Sequence, residues 1–277
     1  MERTAISVVV PAFNESLSLE RVLNRLADHV TLLRARYDVE LIVVDDGSQD
    51  ATPDILRKFA AGHPDIIRIL SHDRNRGLLS AVRTGAFAAS HDTVVVLDAD
   101  LSYDPGIIEP LVIARLEAGA AAALASPYMR GGRVGNVPWD RLLASRAANA
   151  LLSLCVDGHL KTFTGMVRAY DRATFCDLLR RPHVGEFNAW AVAAMLAEGR
   201  RVVEIPAALV WPPERTSGPM RISPGKLAGR VVLVAQTVRE LVAARRAGRS
   251  GRAGTLVLQP EPHRPYSSNS KPCISCE

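Results

Sequence analysis

Long apolar runs, cysteine, aromatic residues and lysine are all scarce in this chain of 277 residues. No stretch reaches the roughly 18 uninterrupted apolar residues that a membrane-spanning helix needs, so a transmembrane protein is not expected. The N-terminal residues pass through Glu2 and Arg3 straight into a strand-like run with no leader peptide, and a secreted precursor is not expected either. The 4 cysteines (Cys155, Cys176, Cys273, Cys276) are too few for a disulfide-stapled scaffold and point to a reducing, cytoplasmic compartment. Aromatic residues at 5% offer few stacking platforms, which counts against a nucleic-acid partner. Among the 34 basic side chains only Lys58, Lys161, Lys226 and Lys271 are lysine. The rest are arginine, whose planar fork grips phosphate with two hydrogen bonds. With 48% hydrophobic and 23% charged residues, the chain has the composition of a globular protein that builds its core without disulfides. Its net charge of +5 suits an anionic ligand without choosing among nucleotides, anionic lipid and nucleic acid.

Up to about residue 125, short β-branched runs alternate with longer helical patterns, the mark of a parallel sheet covered by helices. The runs Ile6–Val10, Val39–Val44, Ile66–Ser71, Thr93–Leu97 and, more weakly, Ala120–Ala125 are continuously apolar, as strands buried on both faces require. Helical spacing occupies Leu17–Arg36, Thr52–Ala61, Leu78–Ala89 and Pro105–Ala118, with Thr52 before Pro53 reading as a helix start. Residues 126–145 mix Gly131, Gly132, Gly135 and Pro138 with Arg130, Arg133 and Arg141 and read as a mobile basic loop. A helix over Leu142–Val156 and a strand over Val202–Ile205 follow. Residues 226–247 read as an amphipathic helix that either lies on an anionic membrane or packs back on the domain. Residues 248–277 are rich in Gly, Pro, Ser and Arg and read as a disordered tail; a zinc or redox role for Cys273-x-x-Cys276 is the minor reading there.

Polar residues gather just after the ends of three strands: Asn14-Glu15, Asp45-Asp46-Gly47-Ser48 and Asp98-Ala99-Asp100. In an open α/β sheet that edge holds the ligand. Asp98 and Asp100, two residues apart where a strand breaks into a loop, suit a divalent cation bound to a diphosphate. Ser102 could add a hydroxyl. Asp45 and Asp46 suit hydrogen bonds from a base or ribose, although one of them would be enough to cap a turn. Pro11 to Glu15 offer a ring to cover a base and a carboxylate to bind it; alternatively Asn14 caps the following helix.

The ordered set V-V-V-P-A-F-N-E, V-V-D-D-G-S-Q-D, N-R-G-L-L-S-A-V and L-D-A-D-L-S resembles family 2 glycosyltransferases of the GT-A fold. The later segments Tyr128-x-x-Gly131-Gly132, Arg141 to Asn149, Thr164-Gly165-Met166-Val167-Arg168, Glu204-Ile205-Pro206 and Arg215-x-x-Gly218-x-x-Arg221 resemble the branch of that family acting on dolichyl and bacterial polyprenyl phosphates. The resemblance implies a single Rossmann-like GT-A domain over residues 1–225, an α/β fold with a mostly parallel central sheet flanked by helices. Residues 1–125 would form its nucleotide-binding half and 126–225 its acceptor half. It further implies that Pro11, Phe13, Glu15, Asp45, Asp46, Asp98, Ala99, Arg215 and Arg221 hold the nucleotide sugar. Asp98, Asp100 and Ser102 would hold Mg²⁺ or Mn²⁺; Asp98, Asp100, Arg141 and Arg215 would serve catalysis. Arg141, Ser145 and Arg146 would meet the acceptor phosphate. Arg141 and Ser145 are four apart and share a helix face near its start, where an anion is favoured. The chain departs from the family pattern at Pro127, where arginine is usual, and at Trp190, where glutamate is common.

The activity implied is inverting, metal-dependent transfer of a hexose, with GDP-mannose favoured as donor and a UDP-hexose as the variant, to a polyprenyl phosphate. That acceptor would place the chain peripherally on the cytoplasmic face of a membrane, with or without a separate membrane subunit. An ionised phosphate nucleophile needs no general base, whereas a hydroxyl acceptor does. Glu186 is the best base the sequence offers, and the seven His show no metal or triad spacing. A family 2 enzyme acting on a soluble or peptide hydroxyl, and a non-enzymatic nucleotide-binding module, remain the alternatives. Arg168 would pair with a carboxylate in the fold or touch a ligand, and Trp139 would dip into lipid or pack under its loop.

Overall fold

The computed structural model describes residues 3–156, 159–183 and 185–212, with the isolated positions 236 and 239. The expected helix over 226–247, the tail, Arg215, Arg221 and the Cys273–Cys276 pair lie outside the described residues. Cys176 is a buried thiol. No described helix is long and apolar enough to cross a membrane.

Strands β1 (Ala5–Ala12), β2 (Asp38–Asp45), β3 (Ile67–Ser71) and β4 (Thr93–Val96) alternate with helices α1 (Leu19–Leu33), α2 (Thr52–Gly62) and α3 (Leu78–Ala88). These follow the apolar runs and helical spacings closely. After β4 a short 3-10 turn, Pro105–Ile107, leads into α4 (Ile108–Glu117) and β5 (Ala122–Ser126). The chain continues through β6 (Arg133–Gly135), α5 (Trp139–Val156), β7 (Arg168–Asp171), α6 (Arg172–Arg180), α7 (Phe187–Ala197), β8 (Val202–Pro206) and β9 (Ala208–Val210).

The main sheet has seven strands in the order β3-β2-β1-β4-β7-β5-β8. Every pairing is parallel except those of β7, which runs antiparallel between β4 and β5. The second half of the chain therefore threads a strand into the sheet of the first, and the two share one core. One sheet face packs on α1, α2 and α4 through residues such as Leu23, Leu26, Leu56 and Leu111; the other packs on α3, α6 and α7 through Val82, Phe175 and Val192. Helix α3 lies so close that a Cβ at Gly85 would meet the Val9 side chain at 2.3 Å.

Two expectations change. Residues 126–145 are not one loop: β6 pairs with β9, and α5 starts at Trp139, with Pro138 accepting the Leu142 N–H at 2.9 Å. Strand β7 carries Arg168 fully buried, so its four residues lack the apolar run by which the other strands show themselves.

Candidate active site

The strand order reverses at β1, whose neighbours are β2 on one side and β4 on the other. At such a point the loops leaving adjacent strands part and open a crevice beyond their carboxyl ends. Pro11 widens it. Val9 makes the last ladder bond to β4, accepting from Leu97 N at 3.0 Å, and Pro11, on the same side two residues on, has no N–H with which to continue. The three polar clusters stand at the carboxyl ends of β1, β2 and β4, the strands that meet at this point. Phe13 is 40% exposed at its mouth, while Pro11 is buried.

The loops after β1 and β2 are stitched together. Asn14 adopts the left-handed conformation (φ 53°) and does not cap α1, whose N-cap is Ser18. Its N–H donates to Ser48 Oγ, its Oδ1 accepts from Gln49 N, and the Glu15 N–H donates to Thr52 Oγ1, each at 2.9 Å. Thr52 is thus the first residue of α2, but its hydroxyl serves the neighbouring loop. Burial pulls the Asp50 carboxyl upward, but hydrogen bonds from Thr52 and Ser16 outweigh it and hold the group at about 2. Asp45 accepts from Ser48 N at 3.1 Å, the turn role foreseen for one of the pair. Asp46 does something the sequence did not suggest. Its carboxylate accepts from Arg76 N (2.9 Å) and Gly77 N (2.8 Å) and meets His72 Nδ1 at 2.6 Å, organising the loop that leads into α3. Gly47 (φ 70°) lets that loop approach: a Cβ there would sit 2.2 Å from the Arg74 carbonyl carbon.

Beyond β4, Asp98 is half-buried, Ala99 and Asp100 are buried, and Leu101 is held at a positive φ of 50°. For a branched aliphatic residue that conformation is strained, and such strain gathers at functional loops. Ser102 donates to Asp100 Oδ1 from both its N–H (2.9 Å) and its Oγ (2.6 Å), so the hydroxyl orients the carboxylate. Asp100, Ser102, Arg21, Arg25, Asn136 and Trp211 line a cavity of about 330 Å³. Pro212, the last residue of its described segment, lines it as well. Among the described residues no group of three or more His, Cys, Asp or Glu side chains is placed to hold a metal. Asp98 and Asp100 alone fit an ion such as Mg²⁺ or Mn²⁺ that takes one or two protein carboxylates and completes its shell with phosphate oxygens and water.

Helix α5 brings the acceptor candidates to the same side. Ser145 Oγ accepts from Tyr128 Oη at 2.8 Å, and the Arg146 guanidinium lies 5.9 Å from the centre of the Tyr128 ring. The Arg141 guanidinium lies 5.2 Å from the Trp211 ring, and its Nε is buried without a hydrogen-bond partner among the described residues. Asn149 ties this helix to the 163–164 turn: its Oδ1 accepts from Phe163 N at 2.6 Å, and its Nδ2 donates to Ser145 O at 2.8 Å and Thr164 Oγ1 at 3.2 Å. Glu204 on β8 secures the preceding residues, accepting from Lys161 N (2.8 Å) and Thr162 N (2.6 Å). Burial pushes its carboxyl up, against the pull of those N–H groups.

Among the described residues Arg168 forms no ion pair with a carboxylate. It is fully buried and donates to the carbonyls of Gly165 (2.7 Å), Asn188 (2.9 Å) and Phe163, a structural role that only the antiparallel strand creates. Glu186 is the N-cap of α7: one oxygen accepts from Asn188 N (3.2 Å) and Nδ2 (3.0 Å), the other from Ala189 N (2.8 Å). Burial pushes its carboxyl up, with those N–H donors acting against it. Trp190 packs 5.9 Å from Phe187 and 5.2 Å from His183. Sequence reading missed Asn149, Tyr128 and Trp211 as members of one cluster, because α5, the 126–138 segment and the end of β9 converge only in the fold. Tyr128 and Asn149 stand within motifs, but the spacing of those motifs gives neither a partner.

The glycosyl transferase family 2 profile matches residues 7–179. The chain is 35% identical over 143 residues to dolichol-phosphate mannosyltransferase of Pyrococcus furiosus, covering 52% of this chain and 39% of that one. It is 32% identical over 168 residues to polyprenol monophosphomannose synthase of Mycolicibacterium smegmatis (60% and 61%). It is 31% identical over 227 residues to undecaprenyl-phosphate 4-deoxy-4-formamido-L-arabinose transferase of Sodalis glossinidius (82% and 65%). The chain thus spans less than two thirds of the length of these relatives. Among solved structures, glucosyl-3-phosphoglycerate synthase of Mycobacterium tuberculosis with Mn²⁺, UDP-glucose and phosphoglyceric acid superimposes with a TM-score of 0.60 at 19% identity, covering 87% of this chain and 80% of that one. Mannosyltransferase PcManGT of Pyrobaculum calidifontis, with GDP-Man and Mn²⁺, superimposes at 0.55 and 20% identity (90% and 77%). At such identities the likeness is one of fold.

Proposed function

The chain belongs to glycosyl transferase family 2 and has its GT-A fold, and on that premise we propose that it transfers a hexose from a nucleotide sugar to a polyprenyl phosphate, with inversion at the anomeric carbon. The observation that carries the choice of acceptor is the position of Glu186. The carboxylate best suited by sequence to deprotonate a hydroxyl caps α7 with both oxygens. A phosphate monoester is already ionised at neutral pH and needs no such base. Sequence similarity to enzymes named for dolichyl, polyprenyl and undecaprenyl phosphates supports the same acceptor class.

In this reading Phe13 covers the base, and Glu15 and Asp45 face the nucleoside. Asp46 acts by holding the 72–77 loop against it. Asp98 and Asp100 face the diphosphate, with Asp100 oriented by Ser102. A divalent cation bound there would neutralise charge on the departing nucleoside diphosphate. Arg141, whose Nε has no partner among the described residues, and Ser145, fixed by Tyr128, receive the acceptor phosphate beside Arg146. Arg215 and Arg221 lie outside the described residues; their assignment to the donor phosphates rests on the family resemblance alone. Holding both substrates in line supplies much of the rate, since positioning replaces a bimolecular encounter. Mannose from GDP-mannose is the donor we favour.

The test is release of nucleoside diphosphate from a panel of GDP- and UDP-sugars, with short polyprenyl phosphates as acceptors and Mg²⁺ or Mn²⁺ present. Turnover should require the phosphate acceptor and fall at least about 100-fold in Asp98→Asn and Asp100→Asn. Activity confined to a soluble hydroxyl acceptor, abolished by Glu186→Gln and indifferent to Arg141→Ala, refutes the proposal in favour of the hydroxyl-transferring alternative.

A further inference from the structure

At the end of β2 three polar side chains from three different elements are joined in a chain. Asp46 follows β2, His72 follows β3, and Thr84 belongs to α3. The side chains of Asp46 and His72 are only 4% and 5% exposed. His72 Nδ1 meets Asp46 Oδ1 at 2.6 Å and its Nε2 meets Thr84 Oγ1 at 2.8 Å, so both ring nitrogens are engaged. A carboxylate only accepts, which assigns the Nδ1 proton to the bond with Asp46. A threonine hydroxyl can donate or accept, and so completes Nε2. Each link is anchored in turn. The Asp46 N–H donates to Ala12 O at 2.9 Å, tying it to β1, and the His72 N–H donates to Asp45 O at 2.9 Å. Thr84 stands beside Gly85, where α3 lies directly on Val9.

The N–H groups of Arg76 and Gly77 already donate to Asp46 and close the 72–77 loop upon it. The imidazole adds a different connection, from that carboxylate to a helix seated on the sheet. An apolar side chain could fill the same space without the cost of burying polar groups. It could not hold the carboxylate in one orientation, and in a buried network that orientation is passed on. Gly47, packed against the Arg74 backbone, carries any shift of the 72–77 loop to the Asp45–Ser48 turn.

We propose that His72 is a positioning residue for the nucleotide donor: through Asp46 it sets the 72–77 loop, and with it the wall of the crevice that the nucleoside meets. This rests on the reading of a nucleotide-sugar donor. Because His72 acts only through Asp46, its loss should weaken donor binding and spare the chemical step.

The full chain and its variants are assayed with GDP-mannose, or the panel donor that turns over, against a short, water-soluble prenyl phosphate. Amide hydrogen exchange at Arg76 and Gly77 is followed by NMR. His72→Ala should raise the donor KM about tenfold, keep kcat and the acceptor KM within about twofold, and speed exchange at both amides about tenfold. His72→Asn, whose Nδ2 can stand where Nδ1 does, should recover most of the donor KM. Thr84→Val keeps the side-chain shape and the His72–Asp46 contact; it should raise the donor KM about threefold and add nothing to His72→Ala. A space-filling histidine predicts instead that His72→Asn is no better than His72→Ala, and that result overturns the proposal. So does a donor KM within about twofold of wild type in His72→Ala, or a fall in kcat at unchanged donor KM. Should His72→Ala fail to fold, Thr84→Val decides alone: a raised donor KM at constant kcat upholds the proposal, and an unchanged one overturns it. Faster exchange in His72→Ala without turnover of any donor and acceptor pair refutes the reaction while upholding the hold on the loop. Turnover with a wild-type donor KM in that variant refutes the positioning role and leaves the reaction standing.

Discussion

Replacing Asn149 by alanine tests whether the acceptor helix and the 163–164 turn act as one unit. Phe163 is fully buried, and its N–H finds its acceptor 2.6 Å away in Asn149 Oδ1. Without that oxygen a buried donor goes unsatisfied, at a cost of about 1–3 kcal/mol. The bonds from Nδ2 to Ser145 O and Thr164 Oγ1 are lost as well, each worth about 1 kcal/mol and partly replaced by water at the half-buried Thr164. The sum is about 2–4 kcal/mol, or a fall in Tm of roughly 5–15 °C for a domain of this size. Urea unfolding measures the first and a thermal scan the second. Because the turn is freed from the helix that carries Ser145, the acceptor KM should rise several-fold while the donor KM holds. The Asn149→Asp variant adds a sign. It keeps an acceptor for Phe163 N but turns its second carboxylate oxygen toward the Ser145 carbonyl, 2.8 Å from the present Nδ2. That contact raises the pKa of the new carboxyl in the fold, so the variant's stability is greatest at low pH and falls as pH rises through the folded pKa. A loss under about 0.5 kcal/mol in Asn149→Ala, with both KM values unchanged, refutes the reasoning.

Gly47→Ala should cost about 2–4 kcal/mol in urea unfolding and raise the donor KM, because its positive φ is unfavourable for alanine and the new Cβ would meet the Arg74 backbone. Gly119→Ala, also at positive φ (56°) but facing open space, should cost only about 1 kcal/mol; equal losses at the two sites would contradict the packing argument. Asp50, held at about 2 against an ordinary 3.8, contributes stability that is present above the ordinary value and lost as pH falls through the folded one. Between about pH 4 and pH 2 the wild type should lose about 1 kcal/mol more than Asp50→Asn does, solvent screening included; parallel pH profiles would show that the stitched loops do not depend on this charge.

The first half of the fold was legible because its strands are buried on both faces. Val8 to Val10, Leu41 to Val44 and Val94 to Val96 leave water entirely, and only consecutive apolar residues tolerate that. Strand β7 was not legible. Its Arg168 is buried by satisfying carbonyls that come from the 163–165 turn and from α7, and no local pattern announces such partners. The candidate site divides in the same way. Three acidic clusters at strand ends were visible as a set, since like charges crowded at one edge serve a ligand better than they serve folding. Which of them are already engaged was not visible. Asp46 is occupied by the 72–77 loop, Asp100 by Ser102 and Glu186 by its own helix, through contacts that in the first case span about thirty residues.

Pattern and composition by themselves determined a helix-covered, mostly parallel sheet with an arginine-rich, acid-studded edge, because burial and backbone periodicity are written locally, residue by residue. The tertiary structure decided where β4 and β1 part, which carboxylates are held by backbone N–H groups, and that α5 shows apolar residues to both the domain and the solvent. Those features depend on which distant segments pack side by side, and a hydrogen bond or an uncovered face has no signature until its neighbours are in place.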